Sequence, residues 1–185
     1  IRRQRQMCIR DSNIVRKSRM KKILITGASS GIGKELAINL TNKANELFLL
    51  ARSIDKLELL KKDLEEKNPS LKCECIKYDL SDIENLDKII ENYDIDLLIN
   101  CAGFGKITDF SKLSDKEDLD TINVNFISPM LLTKKYSEKF LQKGQGIILN
   151  VCSTAALYQH PYMAIYSSTK SALLHYSLAL DEELH

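Results

Sequence analysis

From Lys22 onward, short apolar runs alternate with longer segments whose apolar residues recur at helical spacing. Ile23-Leu24-Ile25 predicts a short buried strand ending at Gly27. Leu36, Ala37 and Leu40 mark the inner face of a helix over 31–42. A second strand is expected over 46–50, after which Ser53 caps a charged helix that stops before Asn68-Pro69. A third strand follows over 72–78, a short helix over 81–92, and a fourth strand over 95–100. One long helix is predicted over 115–143, kinked at Pro129. The turn Gly144-Gln145-Gly146 leads into a fifth strand, 147–152, and a last helix begins near Ala164.

Strands that are nearly continuous in apolar residues, alternating with helices, predict an α/β protein with a doubly wound parallel sheet. Right-handed crossovers and a glycine-rich loop after the first strand give the strand order 3-2-1-4-5. The fifth strand then has no neighbour on its outer side. Residues 146–151 would form a bare apolar edge, which is an aggregation hazard. The domain, residues 20–185, is therefore expected to be incomplete at its C-terminus, with the last strands missing.

Composition narrows the class without changing it. With 185 residues, 44% of them hydrophobic and 28% charged, the chain reads as one ordinary soluble domain. No apolar run approaches the roughly 18 residues that span a bilayer, so no membrane association is expected. The five cysteines show no metal-ligand spacing, so no metal site is expected. Cys73 and Cys75 share a strand face in poor disulfide geometry, and free thiols point to a reducing cytoplasm. Charge is uneven: residues 1–20 hold seven Arg/Lys against the single acid Asp11, while the rest holds 20 basic and 24 acidic residues. A nucleic-acid or membrane arm, a targeting peptide and a non-native extension compete for this leader. The non-native reading of residues 1–19 is preferred, since Met20-Lys21-Lys22 looks like a true start. No nucleic-acid partner is expected.

Two constellations carry chemistry. Thr26-Gly27-Ala28-Ser29-Ser30-Gly31-Ile32-Gly33 joins the first strand to the first helix, where free N–H groups and a positive dipole end can receive a pyrophosphate. It is not a triphosphate loop. Gly27 to Gly33 is one residue too long, and Lys34 is followed by Glu35 where a magnesium-binding Ser/Thr is needed. Further on, Tyr166 and Lys170 lie four apart, on one helix face, with Ser153 thirteen positions before the tyrosine. A fixed ammonium near a phenol favours the phenolate, which suits proton transfer.

With the glycine loop, Asp79 after the third strand, Asn100-Cys101-Ala102-Gly103 after the fourth, Asn125 in the long helix, and Ser153, Tyr166 and Lys170 in order, the chain resembles the short-chain dehydrogenase/reductase family. The resemblance runs from Lys21 to the end and implies a Rossmann fold. It further implies a hydride transfer between a nicotinamide cofactor and a carbonyl or secondary alcohol. Tyr166 would move the proton at the substrate oxygen, and Lys170 would assist it and hold the nicotinamide ribose. Ser153 would hold the substrate oxygen, and Asn125, rather than its neighbour Asn123, would anchor a water linking Lys170 to solvent. Gly27, Ser29, Ser30, Gly31, Ile32, Gly33, Arg52, Asp79, Leu80, Asn100, Ala102 and Gly103, together with Tyr166 and Lys170, would contact the cofactor.

Ala51-Arg52 at the end of the second strand replaces the acid that would accept from a ribose 2′-OH. Arg52 can instead pair with a 2′-phosphate, which favours NADP over NAD. Phe104 and residues 154–158 suggest an apolar cleft for a hydrophobic or acyl-bearing substrate. Family members assemble as homodimers or homotetramers through the long helix and the last helix, so an oligomer is implied. Cys101 departs from the family's usual asparagine. The C-terminal segment that closes over substrate in relatives is expected to be missing, so little or no turnover is expected of such a fragment. The alternative is a non-enzymatic dinucleotide-binding regulator, but such proteins lose the tyrosine or the lysine.

Overall fold

The structure is a computed structural model, and it describes residues 22–184; the basic leader lies outside the described residues. The strands are β1 (Lys22–Thr26), β2 (Glu46–Ala51), β3 (Lys72–Lys77), β4 (Leu97–Asn100) and β5 (Ile147–Asn150). They form one parallel sheet in the order β3-β2-β1-β4-β5, as the alternation of elements predicts.

Period-2 alternation splits each strand between two cores. Ile23 and Ile25 of β1, Leu47 and Leu49 of β2, and Leu97 and Ile99 of β4 face one side. There they meet Ala37 of α1 (Gly31–Leu40) and Leu57, Leu60 and Leu64 of α2 (Ile54–Lys67). Leu24, Phe48, Leu50 and Leu98 face the other side. They pack on Ile89 of α3 (Asp87–Asn92), and on Leu132, Tyr136 and Phe140 of α5 (Ser128–Lys143). The central strands β1 and β4 are buried on both faces, so their sequences read as unbroken apolar runs. β5 is an edge strand, with Ile147 39% and Leu149 45% exposed.

Two expectations about helices need correction. The helix expected over 81–92 is confined to α3, because Asp79 and Asp82 spend their carboxylates on turns: Asp79 accepts from the N–H and hydroxyl of Ser81, and Asp82 from the N–H and amide of Asn85. The long helix changes its hydrogen bonding before Pro129 rather than at it. It is divided into α4 (Asp115–Ile122) and α5 by a π-turn over Asn123–Ile127, where the Ser128 N–H reaches back five residues to the Asn123 carbonyl. Pro129 sits in the first turn of α5, where proline is tolerated. α6 (Ala164–Leu184) closes the described chain. Among the described residues, no helix is long and apolar enough to cross a membrane, and no group of three or more His, Cys, Asp or Glu could hold a metal ion.

Candidate active site

The C-terminal ends of β1, β2 and β4 converge on a cleft of about 460 Å³. Its floor depends on close backbone contact. Gly27 has a φ of 70°, and a Cβ placed there would lie 2.8 Å from the Ala102 Cα; a Cβ on Gly33 would lie 2.4 Å from the Gly27 carbonyl oxygen. Only glycine fits at either position. The Gly27 N–H donates to the Leu50 carbonyl at 2.8 Å, joining the loop to β2. Thr26 joins it to β4: its Oγ1 accepts the N–H groups of Cys101 and Ala102 at 3.0 and 3.1 Å. The hydroxyl of Thr26 therefore aligns the two loops that form the cleft.

Of the residues expected to hold the cofactor, Gly27, Ser29, Ser30, Gly31, Ile32, Gly33, Arg52, Asp79, Leu80, Ala102 and Gly103 line this cleft. Asn100 does not. It is 3% exposed, and its Nδ2 donates to the Pro129 carbonyl, Thr133 Oγ1 and Asn150 Oδ1. These bonds tie β4 to α5 and β5. The sequence reading missed Lys56, which lines the cleft from the first turn of α2 beside Arg52 and Ser53. Its signal was the position three residues after the cap Ser53, close to the end of β2. The Arg52 guanidinium lies 3.9 Å from the Asp79 carboxylate, with both side chains largely exposed.

The π-turn distributes its polar side chains over the cleft. Asn123 donates to the Ser81 carbonyl, and Ser128 Oγ donates to the Leu80 carbonyl at 2.6 Å, so both hold the Asp79-Leu80-Ser81 segment. Asn125, fully buried, faces the other way. Its Oδ1 accepts the Phe104 N–H, and its Nδ2 donates to the Phe104 carbonyl and Thr169 Oγ1. Of the two asparagines, Asn125 is the one beside Lys170, and Asn123 reaches the Ser81 carbonyl instead. A Cβ built on Gly103 would stand 3.2 Å from both Asn125 Oδ1 and Lys170 Nζ.

Lys170 is buried and donates to the Val151 carbonyl at 2.9 Å. Burial pushes its pKa below the usual lysine value, opposed by the nearby thiols of Cys152 and Cys101. The adjacent Ser171 hydroxyl donates to the Ala156 carbonyl at 2.7 Å. These two bonds fall on either side of Ser153 and hold it against α6. Ser153 Oγ accepts the Ala155 N–H at 3.1 Å. Tyr166, half-buried in the first turn of α6, has its ring against the backbone of Gly105. Phe104 lines the cleft and packs on the inner core, while Leu157 and Tyr158 are 63% and 68% exposed.

The family model described as short chain dehydrogenase matches residues 21–185. The chain belongs to the short-chain dehydrogenase family. Within it, the chain is 38% identical over 170 residues to the NADP-dependent 3-hydroxy acid dehydrogenase of Schizosaccharomyces pombe, covering 88% of this chain and 65% of that protein. It is 34% identical over 168 residues to the very-long-chain 3-oxoacyl-CoA reductase of Coccidioides immitis (strain RS), covering 87% of this chain and 48% of that one. The chain thus spans about half the length of most of the curated short-chain dehydrogenases it matches. Among solved structures, a Sphingobium yanoikuyae short-chain dehydrogenase in complex with NADPH superposes with a TM-score of 0.84 at 30% identity, over 89% of this chain and 66% of that one. The bulky-bulky ketone specific alcohol dehydrogenase of Comamonas testosteroni also gives 0.84, at 29% identity, over 90% of this chain and 68% of that one.

Proposed function

We propose that this chain is the dinucleotide-binding and proton-transfer part of an NADP-dependent oxidoreductase that interconverts a carbonyl and a secondary alcohol. The observation that carries the reading is the gathering of Asn125, Lys170 and Tyr166 on the Gly103–Gly105 backbone, at the edge of a glycine-floored cleft. A dinucleotide fits that cleft. Gly27 and Gly33 keep the floor free of side chains, the N-terminus of α1 faces it, and Arg52 and Lys56 stand at the end of β2. Those two cations favour NADP, and the fission-yeast relative is named as NADP-dependent. When bound, the nicotinamide supplies or accepts the hydride.

The chain's own residues handle the proton. Tyr166 exchanges it with the substrate oxygen. Ser153 Oγ uses a lone pair on the Ala155 N–H and keeps its own proton to donate to that oxygen. Lys170 spends one of three N–H donors on Val151, leaving two for the ribose and a water. Asn125 has committed both amide hydrogens. The water would therefore be held by an oxygen of Asn125.

The substrate reading is apolar or acyl-bearing, in keeping with exposed Leu157 and Tyr158 after Ser153 and with relatives named for 3-oxoacyl-CoA and 3-hydroxy acids. A homodimer or homotetramer is supported by exposed Leu119 on α4 and Leu178 on α6. The free thiols Cys73, Cys75, Cys101 and Cys152 fit a reducing compartment such as the cytoplasm. Titration of the full-length protein with NADPH and NADH, followed by turnover on 3-oxoacyl thioesters and plain ketones, tests the whole reading. Failure to bind either dinucleotide would overturn it.

A further inference from the structure

The segment after β4 lies across the face of Tyr166 and is fastened on both sides of the contact. Before it, the backbone N–H and carbonyl of Phe104 are both held by the Asn125 amide. After it, Lys106 pairs with Glu117 of α4 at 2.5 Å, and the Thr108 N–H donates to the Tyr162 carbonyl at 3.0 Å. Between these ties sits Gly105. A Cβ built there would stand 2.6 Å from Tyr166 Cδ2, 2.7 Å from Cγ and 2.9 Å from Cβ. Real Cβ atoms do not approach so closely, and the Tyr166 atoms involved are at the root of its side chain.

Gly105 is not among the glycines with positive φ, so its backbone conformation would accept a side chain. Space alone excludes one. Gly103, two residues earlier, is tight in a milder way: a Cβ there would stand 3.2 Å from Lys170 Nζ and Asn125 Oδ1. The two glycines of Gly103-Phe104-Gly105 each leave room for one functional side chain, and Phe104 between them is the point of attachment.

We infer that Gly105 is a positioning residue: the pinned backbone at this glycine is the wall against which the Tyr166 ring is set. A methyl group there pushes on the root of the Tyr166 side chain and displaces the phenol, because the strap is tied at Phe104, Lys106 and Thr108. The inference rests on Tyr166 being the proton-transfer residue. It concerns the placement of that phenol and leaves the dinucleotide cleft untouched, since Gly105 does not line it.

The test is Gly105→Ala in the full-length protein, beside Tyr166→Phe and Ile107→Ala. Ile107 is 78% exposed on the same strap and has no part in the site. Gly105→Ala should lower kcat about 10- to 100-fold, the usual consequence of misplacing a reacting group by an ångström. The KM for carbonyl substrate and the NADPH Kd, read by fluorescence, should stay within about twofold, and Ile107→Ala should match the wild type in all three. If Tyr166→Phe retains wild-type turnover, the underlying catalytic reading fails. If Tyr166→Phe is inactive while Gly105→Ala keeps its kcat, the positioning inference alone fails. It also fails if Gly105→Ala weakens NADPH binding as much as turnover, or if Ile107→Ala loses as much kcat, since either result marks a general disturbance of the loop.

Discussion

The side-chain amide of Asn125 hydrogen-bonds both backbone groups of Phe104, accepting its N–H at 2.9 Å and donating to its carbonyl at 2.8 Å. One fully buried side chain thus completes the hydrogen bonding of a loop residue as a neighbouring strand would, and does so at the site.

Asn125→Ala should therefore destabilise the protein by about 1–3 kcal/mol, because it strands polar groups away from water. Asn123→Ala removes a single bond, to the half-buried Ser81 carbonyl, and should cost less. Denaturant midpoints for the two variants provide the comparison. Equal losses would contradict the separation of their roles.

Lys170 makes a prediction about pH. Burial lowers its pKa in the folded state, so between that value and the ordinary lysine value the unfolded chain binds more protons and stability rises with pH. The penalty is full below the lowered pKa and disappears above the ordinary one. Lys170→Met should melt above the wild type near neutrality, by about 2–4 °C for each kcal/mol of penalty removed. The gap should close as pH rises. Thermal melts across an alkaline series would show it, and a gap that widens with pH would refute it.

Cofactor choice turns on Arg52 and Lys56. A charge-assisted contact to the 2′-phosphate is worth about 1.5–3 kcal/mol, so Arg52→Asp should reduce the preference for NADPH over NADH about 10- to 100-fold. Lys56→Ala should reduce it in the same direction without reversing it, because Arg52 remains. Binding constants for both dinucleotides test each variant. An unchanged ratio in Arg52→Asp would remove that residue from the 2′-phosphate site.

The parts of this molecule that the sequence revealed are those governed by local periodicity and by spacing. Ile23, Leu47 and Leu97 lie in short apolar runs bounded by turn residues, so the strands and their order follow from pattern and crossover handedness. Gly27, Gly33, Tyr166 and Lys170 stood out because the chemistry proposed for them requires fixed offsets. The π-turn did not, because a shift from four- to five-residue hydrogen bonding leaves helical periodicity nearly intact; Pro129 drew the expectation of a break, whereas the change of hydrogen bonding comes just before it. The role of Asn100 was hidden because it depends on Thr133 and Asn150, far away in sequence. Gly105 carried no signal at all, since its role is defined by a ring 61 residues away.

Turnover of NADPH with a panel of 3-oxoacyl and ketone substrates, compared between wild type and Tyr166→Phe, tests the central claim most directly. The exchange removes one oxygen and should leave NADPH affinity unchanged while lowering kcat about 10²- to 10⁴-fold, the range of a lost general acid. Equal rates for the two proteins would contradict the account.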